Sequence, residues 1–285
     1  MTFNEKMINR LEATFSHVCV GLDSRYNRIP EELKKDENGT ILPLHEAVFR
    51  FNKEVIDATH DLAAAYKANI AFYAGFGAEG LEGLRLTNRY LAEHYADIPR
   101  IADCKRSEMG ESVKMVKQEV FEWLGFDCVM VTPWFGFDTV RDYLDVPEYG
   151  VSVYVHDSNP TAVEFQELEL KDGRRVYEYV TERVCTVWNT NGNVFVEAGA
   201  TYPEALRRVR EISGDEMVIL TAGIGAQGGR AEDVIGLFGK HGKRMLVNSS
   251  RGIIFAGEEK PDYFAAVRAA AHALRDQLRE LSKTK

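Results

Sequence analysis

Short, near-continuous apolar runs alternate along the chain with longer stretches in which apolar residues return every three or four positions. These are the spacings of buried strands and of amphipathic helices. The strand-like runs are HVCVGLD (17–23), AAAYKANI (63–70), RIADCK (100–105), DCVMVTP (127–133), VSVYVH (151–156), NVFVEA (193–198), MVILTA (217–222) and RMLVNS (244–249). Helix-like segments follow at 45–62, 78–94, 110–124, 138–144, 176–188, 202–212, 231–238 and 263–281. Strands apolar on both faces belong to parallel sheets covered by helices, and eight strand–helix units predict a (β/α)8 TIM barrel, of class α/β. A doubly wound open sheet also alternates strands and helices, but it does not call for eight units. No shift of composition marks a linker, so residues 1–285 form one predicted domain, with a helix preceding strand one.

In such a barrel the C-terminal strand ends face the active site, so the polar residues there form one set. They are Asp23, Lys67, Asp103, Lys105, Thr132, His156, Ser158, Glu197, Gln227 and Arg251. Within ADCKRSEMGES (102–112), the two-residue spacing of Asp103 and Lys105 puts both side chains on one face of the strand, and Glu108 follows three residues later. A salt bridge at a strand end is the plainer use of such a pair. Convergence of two lysines and two aspartates on one mouth favours a reactive cluster. After strand seven, TAGIGAQGG (221–229), which includes Gly228, offers backbone N–H groups to an anion. After strand eight, NSSRGI (248–253) carries Arg251, whose planar fork matches phosphate oxygens. Barrels bind phosphate at this pair of loops.

Composition narrows the partners. With 285 residues, 45% hydrophobic and 28% charged, the chain reads as an ordinary globular protein. A net charge of −9 argues against nucleic acid or an anionic membrane as partner, because those surfaces require basic patches. An anionic ligand must then be held by a local site. Cys19, Cys104, Cys128 and Cys185 lack metal-ligand spacing, and free thiols in a reducing cytoplasm are expected. The opening MTFNEKMINRLEATF carries charges where a signal peptide needs an apolar block, and no run reaches membrane-spanning length.

Several blocks together resemble the orotidine 5'-phosphate decarboxylase family, in particular its longer-chain bacterial branch. They are VGLDSR (20–25), AYKANIAFYAGFGAEGL (65–81), DCKRSEMG (103–110), VTPWFG (131–136), DSNPTA (157–162), GATYPE (199–204), GIGAQGG (223–229) and VNSSRGII (247–254). The resemblance implies a TIM barrel that converts orotidine 5'-monophosphate to uridine 5'-monophosphate with no cofactor. It assigns the catalytic network to Lys67, Asp103, Lys105 and Glu108. Asp23 would hold a ribose hydroxyl, Ser158 the pyrimidine edge, and Gln227, Gly228 and Arg251 the phosphate. The family's last motif acid reaches the neighbouring subunit's site, so a homodimer with Glu108 near the partner's site is implied too.

The chain departs from the family pattern around this pocket. Glu108 replaces the last Asp of D-x-K-x-x-D and extends its carboxylate by roughly 1.5 Å. Glu111 and Ser112 follow it, Thr161 stands in place of Gly, His156 and Asp157 in place of Lys and Thr, and Ala222 in place of Pro. Two other readings therefore stand beside the decarboxylase: a divergent member acting on a related pyrimidine nucleotide, and a non-catalytic nucleotide-binding protein. A Schiff-base lysine fits less well, since it needs a depressed pKa and the flanking carboxylates act the other way.

Overall fold

The computed structural model describes residues 1–224 and 228–284. Among them, eight parallel strands close into a barrel in chain order: β1 (Val18–Gly21), β2 (Ala65–Asn69), β3 (Arg100–Arg106), β4 (Cys128–Val131), β5 (Gly150–His156), β6 (Val194–Gly199), β7 (Ile219–Ala222) and β8 (Met245–Ser249). Closure is made by β1 pairing with both β2, through Cys19 and Ala65, and β8, through Val18 and Val247. Each predicted strand is present within a few residues of its expected limits.

The helices in chain order are α1 (Phe3–Thr14), α2 (Leu44–Thr59), α3 (Ala71–Ala74), α4 (Gly77–His94), α5 (Glu111–Lys117), α6 (Asp138–Arg141), α7 (Val163–Gln166), α8 (Val176–Arg183), α9 (Pro203–Ser213), α10 (Arg251–Ile254) and α11 (Tyr263–Leu281). Period-two alternation sorts the strand residues into two cores. Val18, Tyr66, Val153 and Val196 point outward and pack beneath the helices. Cys19, Ile101, Met130, Phe195 and Leu246 belong to a second, interior cluster. Each large side chain so buried contributes about 1.5–3 kcal/mol.

Helix α1 stoppers the N-terminal end of the barrel. It starts on a capping box in which Thr2 Oγ1 accepts from Glu5 N and Glu5 Oε2 accepts from Thr2 N. Its apolar positions Phe3, Met7 and Leu11, four residues apart, lie on one face and join the interior cluster. Phe3 stacks on Phe195 with ring centroids 5.8 Å apart. Gly150 makes this fit possible, since a Cβ there would lie 2.2 Å from the Phe3 ring.

The structure differs from the sequence expectation in the outer ring. The expected helix at 231–238 is absent. A single 3-10 turn at Ala231–Val234 ends as Ile235 becomes extended, and Gly236 and Gly239 take positive φ of 77° and 63°. Two glycines three residues apart remove the helical preference of that segment. The expected helices at 110–124 and 176–188 are each completed by a wider π-type segment, Gln118–Trp123 and Val184–Trp188. In the first of these the adjacent Val120 and Phe121 are both buried. The short helices α3, α7 and α10 follow β2, β5 and β8 at the barrel mouth. No described helix is long and apolar enough to cross a membrane.

Candidate active site

The strand alternation that makes the interior apolar near α1 makes it charged one layer higher. On β2, Ala65 is followed on the same face by Lys67; on β3, Ile101 by Asp103; on β6, Phe195 by Glu197. All three ionisable residues are buried, at 4%, 5% and 1% exposure. Together with Lys105 they line a cavity of about 640 Å³ that opens at the C-terminal ends of the strands. Asp23, Ser158 and Arg251 line the same cavity.

Asp103 is the hub. Lys67 Nζ donates to its Oδ2 at 2.6 Å and Lys105 Nζ to its Oδ1. Burial opposes its ionisation, but the two ammonium groups outweigh burial and hold its carboxyl below the usual range. Burial likewise disfavours charge on Lys67, yet the Asp103 carboxylate, helped by Asp23, prevails and pushes its pKa up. Both members of the pair are thus charged at neutral pH, and the carboxylate keeps the lysine from serving as a free amine. Lys105 sits where the β3–β4 ladder is interrupted between Ala102 and Arg106, and its φ is +47°. A non-glycine residue held there costs about 1–3 kcal/mol, which the surrounding fold supplies. Its ammonium lies 5.1 Å from the centre of the Tyr154 ring.

Neighbouring loops hold the rest in place. Asp23 Oδ1 accepts from Asn69 N at 3.0 Å, tying the end of β1 to the end of β2. Beneath that loop, Ser24 Oγ donates to Asn52 Oδ1, and Asn52 Nδ2 donates to Tyr73 and Thr87 at 3.1 and 3.0 Å, a fully buried polar network. Gly21 lets the β8–α10 turn settle on β1, since a Cβ there would overlap Ser250. Gly199 does the same for Ser158, whose Cα would lie 2.8 Å from an added Cβ.

Other residues from the sequence set lie elsewhere. Thr132 does not line the cavity; its carbonyl accepts from Ser107 Oγ at 2.6 Å. His156 is also outside it, although strand alternation from Tyr154 points it inward. The β5–β6 register shifts between Tyr154 and His156, and the imidazole packs between Tyr177 and Tyr202 with Nε2 3.2 Å from Glu167. Glu108 lies half-buried in the loop after β3, on the side of Tyr143, and does not line this chain's cavity. Thr161 is exposed and accepts from Asn159 Nδ2 at 2.9 Å. Gly228 has φ +97° and is exposed outside the cavity lining, whereas Gly223 and Ile224 line it. Gln227 lies outside the described residues.

The family profile described as "Orotidine 5'-phosphate decarboxylase / HUMPS family" matches residues 16–265. The chain belongs to the orotidine 5'-phosphate decarboxylase family. It is 41% identical over 291 residues to the orotidine 5'-phosphate decarboxylase of Halorubrum lacusprofundi, covering 98% of this chain and 99% of that one. The Ralstonia nicotianae enzyme of the same name is 38% identical over 282 residues, with 98% and 99% coverage. Among solved structures, the OMP decarboxylase of Leishmania donovani superposes with a TM-score of 0.83 at 31% identity over 100% of both chains. A putative orotidine-monophosphate-decarboxylase from Toxoplasma gondii superposes at 0.84 with 29% identity, covering 99% of this chain and 96% of that one. These matches run through the barrel, so Lys67, Asp103 and Lys105 sit within the part of the chain that defines the decarboxylase family.

Proposed function

We infer that the chain removes CO2 from orotidine 5'-monophosphate to give uridine 5'-monophosphate. The observation that carries this reading is the Lys67–Asp103–Lys105 network at the strand ends, with Lys67 and Asp103 buried and Lys105 exposed to the cavity, in a chain whose full-length relatives are orotidine 5'-phosphate decarboxylases. Breaking the C6–carboxyl bond leaves an electron pair on C6 with no carbonyl placed to delocalise it, so the protein must stabilise the charge. The Lys105 ammonium stabilises that charge as it forms, then transfers a proton to C6 as CO2 leaves. Asp103 holds Lys105 in place and keeps Lys67 charged. Arg251, at the rim above β8, takes the phosphate, Asp23 a ribose hydroxyl and Ser158 the pyrimidine edge. Remote phosphate binding then positions the ring over the network.

The active unit in this reading is a homodimer in which Glu108 approaches the partner's cavity. Support comes from the apolar surface beside it: Met109, Met115, Trp134 and Phe165 are 53%, 58%, 67% and 46% exposed around the β3, β4 and β5 loops, and Trp134 packs on Phe165 at 5.0 Å. The four cysteines are free, which suits a reducing cytoplasm. The direct test is incubation of purified protein with orotidine 5'-monophosphate while following loss of the substrate's ultraviolet absorbance. Uridine 5'-monophosphate and CO2 should appear in equal amounts. No turnover by the intact dimer would leave nucleotide binding as the surviving reading.

A further inference from the structure

Glu197 has no part in the network just described, yet it is the most deeply buried ionisable group facing the cavity. It projects inward from β6 directly above Phe195, is 1% exposed, and its Oε2 has no hydrogen-bond partner. The two nearby ammonium groups, of Lys67 and Lys105, donate to Asp103, and neither makes a hydrogen bond to this oxygen. A carboxylate left in that position bears the full cost of desolvation, whereas a carboxylic acid does not.

The groups around it come from most of the barrel. Lys67 on β2 and Lys105 on β3 favour its charge, while Asp103 on β3 and Asp157 beyond β5 oppose it. Cys19 on β1, Cys128 on β4 and Tyr154 on β5 also face it, and burial pushes all three to higher pKa, so they are neutral. On β7 its neighbour in register is the apolar Leu220. Burial dominates this balance and moves the Glu197 carboxyl up to about 8. The floor of the cavity then sets the Lys67 and Lys105 ammonium groups around the Asp103 carboxylate, together with an O–H donor from Glu197.

We propose that Glu197 is a substrate-binding residue that works as a carboxylic acid, donating its proton in a hydrogen bond to the anionic substituent on the pyrimidine ring. Its ionisation removes that donor and sets a carboxylate against the substrate's own. The inference rests on the decarboxylase reading for the identity of that substituent. The protonation state of Glu197 does not, and it can be read without turnover.

Two measurements test it. Infrared difference spectra of the ligand-free dimer, taken from pH 6 to 10, should show an acid C=O band that disappears on the alkaline side and is missing from Glu197→Gln. A band absent at pH 7, or unchanged in the variant, overturns the proposal whatever the activity. In the second, kcat/KM for orotidine 5'-monophosphate is followed above pH 7, where the phosphate is already a dianion. It should fall by about tenfold per pH unit once Glu197 ionises, while affinity for uridine 5'-monophosphate, which lacks the anionic substituent, stays level. Glu197→Gln, whose amide still donates, should be slower at pH 7 and should lack that alkaline fall. An alkaline fall unmoved in the variant overturns the proposal. Absence of turnover with the acid band present removes the decarboxylase reading and leaves the protonated floor standing.

Discussion

Lys105 joins two kinds of restraint in one residue: a left-handed backbone and a side chain held by Asp103. Both costs are met in the free protein, so in the proposed mechanism the ammonium is in place before charge develops beside it. Lys105→Ala should therefore lower kcat by at least about 10³-fold, with uridine 5'-monophosphate affinity kept within a few-fold, as single-turnover and equilibrium-binding measurements would show. In the proposed mechanism Arg251 acts on a part of the ligand that does not change during reaction. Arg251→Ala should weaken uridine 5'-monophosphate by about 2–4 kcal/mol and leave uridine unaffected; equal loss for both ligands would place the phosphate elsewhere. Asp103, Lys105 and Lys67 were legible in the sequence because strand alternation and position at a strand end determine where such residues point. Glu197 was visible as a strand-end acid, but no linear spacing reveals that its carboxyl faces Lys67 from the other side of the barrel without a hydrogen bond. His156 was misplaced because one register shift in β5 turns its ring from the cavity toward α8.

Among the elements, α1 is the one whose role the sequence left open. Its amphipathic spacing is plain, but a helix before the first strand has no fixed place in a barrel, and only the fit of Phe3 against Gly150 and Phe195 locates it. Leu11 is fully buried in the interior cluster. Leu11→Ala should cost about 2–5 kcal/mol, seen as a lower urea midpoint, with turnover per folded molecule unchanged because the reacting layer lies above it. The outer ring was less legible than the strands. Helices α2, α4, α9 and α11 carry a continuous apolar face and were recovered nearly to their limits. The segment after β7 has apolar residues at helical spacing, but Gly236 and Gly239 cancel that signal.

For the molecule as a whole, two buried groups set opposite slopes of stability against pH. His17 lies fully buried with Nδ1–H donating to the Met245 carbonyl at 3.1 Å and with Phe238 against its ring; burial pushes its pKa from 6.5 down to about 4. The unfolded chain then binds more protons between those values, so stability is full above pH 6.5 and declines as pH falls toward 4, by up to about 3 kcal/mol. Urea midpoints should fall over that window, and His17→Phe should flatten the fall. Glu197 works in the other direction. With its pKa raised from 4.5 to about 8, the folded state holds the extra proton, and stability declines as pH rises between those values.

The closure made by α1 also governs traffic. With Phe3, Phe195 and Ile101 filling one end, the barrel is a blind tube. Among the described residues that end is filled, so a gas molecule released at the floor leaves by the mouth, past the nucleotide that occupied it first. Until it leaves, it stays beside the carbon from which it came and, in the proposed mechanism, competes with the Lys105 proton for the same electron pair. In a tube open at both ends escape alone would make the step irreversible; in this one, irreversibility depends on the speed of proton delivery.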